Sequence, residues 1–182
     1  MHGSRDPAGG AVPHTPEHLE TPRLVMRPLG PALVDELADL YGDPEVTRFL
    51  GAGSLDRAAA QEQCLLFERI WREHGWGQSA VVEKATGRMV GRVGLHDWPV
   101  WGEVELGYVL ARSAQGRGLA TEAATVWLSW ARAHLDVDHL VAVIHPDNAA
   151  SIRLATRLGF TFDRRDITPR AVEVVVYRLD TP

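Results

Sequence analysis

From Arg23 onward, short apolar runs alternate with polar breaks, and the spacing of the apolar positions assigns most segments to an element. "RLVMRPL" (Arg23 to Leu29) alternates apolar and polar residues. That pattern predicts a strand, with Pro28 at an edge or end where its missing N–H does no harm. Pro31 opens a predicted helix to about Tyr41, since proline is tolerated in a first helical turn. "GDPEVTRFLG" reads as a turn with a short helical piece. Ser54 and Asp56 are cap-type residues ahead of a helix from Arg57 to Glu73. In it Leu65, Leu66, Arg69 and Ile70 follow helical spacing, and Gly75 ends it.

"QSAVVE" and "MVGRVGLH", joined by the glycine-containing link "KATGR", predict a β-hairpin. "EVELGYVL" follows the loop "DWPVWG" as a further strand, with Glu103 and Glu105 two apart and therefore on one face. A helix from Leu119 to Leu135 precedes the continuous apolar strand "HLVAVI". "NAASIRLATRLG" is a helix that starts near Asn148 and stops at Gly159. "FTFDRRDI" and "AVEVVVYRL" close the chain as strands around a turn at Pro169. The order is β-α-α-β-β-β-α-β-α-β-β, without repeat or internal linker. The expectation is one α/β domain over residues 21–182, preceded by a flexible tail over residues 1–20.

At 182 residues the chain is long enough to bury one real core, and 45% hydrophobic content is ordinary for a globular protein. A formal net charge of −5 argues against nucleic acid as the main partner, because phosphate binding wants a basic patch. It is compatible with a cationic substrate. The single cysteine, Cys64, leaves no internal disulfide and no cysteine cluster for a metal, and its place in a helix suggests packing. A reducing cytoplasm is the expected compartment. No apolar run approaches the roughly 18 residues of a membrane span, and the first twenty residues lack the apolar stretch of a signal peptide. His2, His14 and His18 read as a solvated tail rather than a metal set.

The segment that carries chemistry is "LARSAQGRGLATEAA", Leu110 to Ala124. A strand, a corner with Gly116 and Gly118, and then a helix present unpaired N–H groups and the positive end of a helix dipole to an anion. Glycine lets a phosphate approach the backbone. Because residue 121 is Thr, the corner is not G-x-G-x-x-G, and it is not G-x-x-x-x-G-K-[ST] either, so dinucleotide and nucleoside triphosphate readings lose support.

Gln115 to Ala120 has the shape Gln-x-x-Gly-x-Ala and resembles the pyrophosphate-binding signature of the GCN5-related N-acetyltransferases. "NAASIRLATRLGF" looks like that family's second block. "TPRLVMRPL", "DPEVTRFLG" and "VELGYVL" look like its ribosomal-protein N-terminal (RimJ/RimL-type) branch. The resemblance covers most of residues 21–180. It implies a mixed, mostly antiparallel central sheet flanked by helices, with acetyl-CoA as cosubstrate and no metal. The corner, through Val109, Leu110, Gln115, Gly116, Arg117, Gly118, Leu119, Ala120 and Thr121, would hold the cosubstrate. Asn148 would hydrogen-bond its pantetheine arm.

Acetyl transfer from a thioester to an amine needs a neutral amine, a polarised carbonyl, alignment and an outlet for the thiolate. Aliphatic amines ionise near pH 10, so a base helps. The resemblance points to Glu105 as that base, with Glu103, Glu173 and His96 behind it, and to backbone N–H groups within Leu106 to Val109 as the polarising donors. The tyrosine that many members carry as proton donor falls at Ala155 here, and Tyr41, Tyr108 and Tyr177 lie outside that helix. Ser151, one turn earlier on the same helical face, is the residue the branch resemblance offers to the thiol sulfur. Arg112 and Arg117 either reach a CoA phosphate or lie solvated. Trp98 and Trp101, with Glu103, form a substrate lip or pack, and Trp127 and Trp130 belong to the core.

The reading is an acetyl-CoA-dependent N-acetyltransferase acting by direct attack in a ternary complex, with a protein N-terminus as the acceptor the branch implies. A small amine or an aminoglycoside is the alternative acceptor. A non-catalytic acyl-CoA sensor module is the alternative of another class. The expected assembly is a monomer or homodimer, without membrane or nucleic acid.

Overall fold

The alternating and continuous apolar runs build a single sheet, and the periodic segments cover its two faces. The computed structural model describes residues 19–51 and 53–181. The strands are β1 (Leu19–Glu20), β2 (Leu24–Pro28), β3 (Gln78–Glu83), β4 (Arg88–Trp98), β5 (Glu103–Leu110), β6 (His139–Ile144), β7 (Thr161–Ile167) and β8 (Glu173–Asp180). They lie in the order β1-β2-β3-β4-β5-β6-β8-β7. All pairings are antiparallel except β5 with β6.

Helices α1 (Val34–Gly42), α2 (Pro44–Thr47), α3 (Arg57–His74), α4 (Leu119–His134) and α5 (Ala149–Arg157) complete the fold. Asp56 caps α3 by accepting from the Ala59 N–H, and Gly75 ends it with φ +71°, a conformation that favours glycine. Leu37, Tyr41, Ala60, Cys64 and Phe67 from α1 and α3 cover one face of the sheet above Ala80 and Val109. Leu119, Ala123, Trp127 and Ala131 from α4 cover the other, above Val93, Leu95, Leu106 and Leu140. Trp127 and Trp130 are core residues, as their helical spacing suggested. Cys64 is buried, and that burial pushes its thiol up to about 11.

The observed order is the expected one with additions. Leu19–Glu20, expected to belong to the tail, pair with Val25 and Met26 as β1, while residues 1–18, with His2, His14 and His18, lie outside the described residues. Two residues are too few to show a period, so only their partner reveals that strand. Pro31–Leu33 form a 3-10 turn before α1 rather than its first turn. In α3 the buried stripe is Ala60, Cys64 and Phe67, with Leu65 half exposed. Leu66 and Ile70 are half-buried beside that stripe, so the helical spacing of the large apolar residues marked its flank rather than its centre.

The one parallel pair positions the site. Its register is a single match, Glu105 with Val141, and beyond it β5 and β6 part. The Val143 N–H, a donor that a parallel ladder would use, goes to the Glu105 carboxylate. The fork therefore opens at a carboxylate, and the corner that starts α4 follows at the far end of β5.

Candidate active site

The corner is built from backbone. Gly116 and Gly118 adopt φ +72° and +77°, which only glycine reaches without strain. A Cβ on Gly116 would meet nothing within 4 Å, so the space above it is open to a ligand. Gly118 is the N-cap of α4 and offers no side-chain cap, leaving the first-turn N–H groups of Leu119, Ala120 and Thr121 to an outside acceptor. Leu119 is wholly buried and Val109 and Leu110 nearly so, which limits these three to contacts through the backbone. Gln115 Nε2 donates to the Leu110 carbonyl at 3.0 Å and ties the corner to the end of β5.

The flanking arginines are exposed to solvent and each is also paired. Arg117 pairs with Glu83, and Arg112 with Asp43 at 3.0 Å. Arg23, on no candidate list, donates to the Arg117 carbonyl at 3.0 Å and ion-pairs with Glu122. The corner is braced by charges that neutralise one another, and its anion-binding capacity rests on N–H groups and the helix dipole.

A cavity of ≈ 390 Å³ runs along the fork between β5 and β6, and the corner residues Gly116 and Gly118 lie outside its lining. Glu105 lies in its wall, where its Oε2 accepts from Trp98 Nε1 at 2.7 Å. Burial raises the Glu105 carboxyl above its ordinary 4.5, against the opposing pull of the Trp98 bond, the nearby Arg92 charge and the Val143 N–H. His96, directly across the β4–β5 ladder from Glu105, is also in the wall, and its burial, with help from Arg92, lowers its imidazole below 6.5. Burial thus opposes the charged form of both groups.

Asn148 and Ser151 stand on the opposite wall. The Asn148 side chain caps α5, its Oδ1 accepting from the Ser151 N–H at 3.1 Å, which leaves its amide N–H groups for other acceptors. Tyr108 donates to the Ser151 carbonyl at 3.0 Å, and burial keeps its phenol protonated well above the usual range. Tyr108 thus brings a phenol to the start of α5, although the helix has none of its own. The sequence did not single it out because the contact spans residues 108 and 151, on different elements.

Two expected substrate residues lie outside the cavity lining. Glu103 is held by Arg164, at 2.7 and 3.1 Å, and by His139 at 3.3 Å. Burial raises its carboxyl, but the Arg164 and His139 bonds outweigh that and hold it below the ordinary value. Arg164 lies over the Trp101 ring, and Trp101 packs against Trp98 with ring centroids 4.8 Å apart. Glu103 and Trp101 therefore act behind Trp98, which alone of the three faces the cavity and holds Glu105. Sharing a face with Glu105 did not place Glu103 in the site, because Arg164 from β7 and His139 from β6 reach its carboxylate and hold it. Glu173 is likewise absent from the lining.

The cavity also recruits residues that the motifs did not indicate: Tyr41, Gln78, Arg92, Phe49 and His145. Arg92 had a readable signal, a charge set into the apolar run "MVGRVGLH".

A glycine-built corner at the start of a helix and, nearer the middle of β5, a cleft walled by a half-buried carboxylate are the two features that suit an acyl-CoA-type transferase. The sequence matches the acetyltransferase (GNAT) domain over residues 23–161, and the chain belongs to that family. It is an acyltransferase of the N-acetyltransferase type, and the family uses acetyl-CoA as cosubstrate. Among curated relatives, the uncharacterized N-acetyltransferase p20 of Bacillus licheniformis is 27% identical over 146 residues, 79% of this chain and 82% of that protein. An acetyltransferase structure from Agrobacterium tumefaciens is 30% identical with a TM-score of 0.75, covering 97% of this chain and 99% of that one. A ribosomal-protein-S5-alanine acetyltransferase from Vibrio fischeri shares the fold at 15% identity and a TM-score of 0.70, covering 90% of this chain and 96% of that one.

Proposed function

We propose that the protein transfers the acetyl group of acetyl-CoA to a primary amine by direct attack in a ternary complex. The observation that carries this reading is the placement of Glu105: a half-buried carboxylate at the point where β5 and β6 part, in the wall of the cleft. The open space over Gly116 and the uncapped first turn of α4 fit a pyrophosphate. Acetyl-CoA supplies the thioester.

Glu105 takes the proton from the incoming ammonium, directly or through one water, and its raised pKa makes it a stronger base than an ordinary carboxylate. Backbone N–H groups of β5 beyond Glu105, which β6 does not pair, polarise the thioester carbonyl. The Asn148 amide binds the pantetheine arm. Ser151 and Tyr108 stand together at the start of α5 and serve the departing thiolate, with Tyr108 positioning Ser151 through its carbonyl. A protein N-terminus is the acceptor that the ribosomal-protein branch resemblance implies; a small amine is the alternative.

The test joins calorimetric titration of CoA to release of free thiol from acetyl-CoA in the presence of N-terminal peptides, amino acids, polyamines and aminoglycosides. CoA binding with acceptor-dependent thiol release is the expected result. CoA binding without release on any acceptor favours a sensor module, and absence of CoA binding removes the reading of the corner.

A further inference from the structure

Above Gly107 the cavity floor brings three polar side chains to one point. A Cβ on Gly107 would stand 3.4 Å from Gln78 Nε2, 3.6 Å from Arg92 Nη1 and 3.6 Å from Glu105 Oε1. Glycine leaves that spot open. The Arg92 and Glu105 atoms are thus at most twice 3.6 Å apart, yet they form no ion pair. A methyl-sized group at that spot would be in ordinary van der Waals contact with all three side chains.

Arg92 is the unusual member. It is half-buried, its Nε donates to the Tyr41 hydroxyl, and its Nη1 donates to Gln78 Oε1 at 2.7 Å. Its guanidinium lies 5.7 Å from the Tyr41 and Phe67 ring centroids. Among the described residues it has no carboxylate partner, and only two of the five donors of a guanidinium are used. Holding a cation among rings and neutral acceptors is costly for structure alone, and it suits a group that meets an anion.

The rest of the lining agrees. Among the described residues it carries one carboxylate, Glu105, against the guanidiniums of Arg92 and Arg170. A polycation would meet net repulsion there. The far end is narrowed by two loops in contact, since a Cβ on Gly51 would come within 3.1 Å of Val172 Cγ2 and both residues line the cavity.

From this arrangement we infer that the acceptor is a small amine bearing a carboxylate beside the reacting nitrogen, an amino acid, with Arg92 binding the carboxylate and Glu105 facing the amine. Fork-shaped guanidinium recognition of a carboxylate supplies both affinity and orientation. A zwitterion also matches the opposed charges of Arg92 and Glu105 on either side of Gly107. The inference rests on the acetyltransferase reading and narrows its acceptor. It disfavours aminoglycosides and polyamines, and it disfavours a peptide N-terminus, whose first carboxylate is converted to an amide.

The experiment starts with calorimetry of CoA on the full chain, which tests the acetyltransferase reading by itself. The CoA-loaded protein is then titrated with the L-amino acids and with the matching amino acid amides, and the same pairs are run in the thiol-release assay. Wild type, Arg92→Gln, Arg92→Lys and Gly107→Ala are compared. The expected result is an amino acid preferred over its amide by about thirtyfold, the scale of a charge-assisted hydrogen bond. Arg92→Gln removes the preference, Arg92→Lys restores part of it, and CoA affinity is unchanged in both. Gly107→Ala, whose new methyl meets only ordinary contacts, weakens acceptor binding. Equal binding of acid and amide overturns the inference. So does a preference that survives Arg92→Gln, or turnover of peptides or polyamines but of no amino acid. Failure of CoA itself to bind removes the acetyltransferase reading and this inference with it.

Discussion

Replacing Glu105 by glutamine keeps the shape of the side chain and one acceptor oxygen for Trp98 Nε1, while removing the titration. A positioned general base contributes roughly 100- to 10,000-fold to a proton transfer, so Glu105→Gln lowers kcat by that scale. Its pH signature is sharper than its magnitude. Burial raises the carboxyl above 4.5, so kcat/KM of the wild type climbs with pH through that raised value as the ionised base appears. The glutamine variant lacks this limb.

Stability moves the opposite way. Between 4.5 and the raised native value the unfolded chain has released the proton and the native chain still holds it. Wild-type stability from this group therefore falls as pH rises through the window, and Glu105→Gln removes that fall. The stability of the variant relative to wild type increases with pH across the window and is flat above it, whatever constant offset the lost hydrogen bond to Val143 adds. Thiol release from pH 5 to 9, with urea denaturation over the same range, reads both. A variant that keeps a third or more of wild-type turnover, or that keeps the acidic limb, refutes the assignment of Glu105 as base.

Gly118→Ala forces a Cβ into φ +77° and costs about 1–2 kcal/mol. That lowers Tm by about 2–4 °C per kcal/mol in scanning calorimetry and weakens CoA in titration. Glu103→Gln leaves turnover within about twofold, since Glu103 is outside the cavity, but loses about 1.5–3 kcal/mol at pH 7 by urea denaturation because Arg164 loses one of its three carboxylate partners and keeps Asp163 and Asp166. The wild-type advantage at this position is present above 4.5 and disappears as pH falls through the depressed value of Glu103. Tyr108→Phe removes the bond to the Ser151 carbonyl, costs about 1 kcal/mol and raises KM for acetyl-CoA more than it changes kcat, as steady-state kinetics would read.

The sequence by itself determined what depends on near neighbours. Glycine spacing at 116 and 118 specified a positive-φ corner, and the helix that follows specified an N-terminus with N–H groups to spare. Caps at Asp56, Asn148 and Gly75 marked helix ends, and periodicity supplied the element order. These signals are local because backbone conformation and i to i+4 spacing are local. The tertiary structure alone decided what depends on which strand lies beside which. Glu103 and Glu105 are equivalent by alternation, yet β7 covers one with Arg164, while the parting of β5 from β6 opens a cavity at the other. Gln78, Arg92 and Glu105 come from three strands and converge over a residue, Gly107, whose only signal is the lack of a side chain. Tyr108 reaches α5 across 43 residues of chain. No window of sequence contains such meetings, because packing and sheet order, not spacing, bring the partners together.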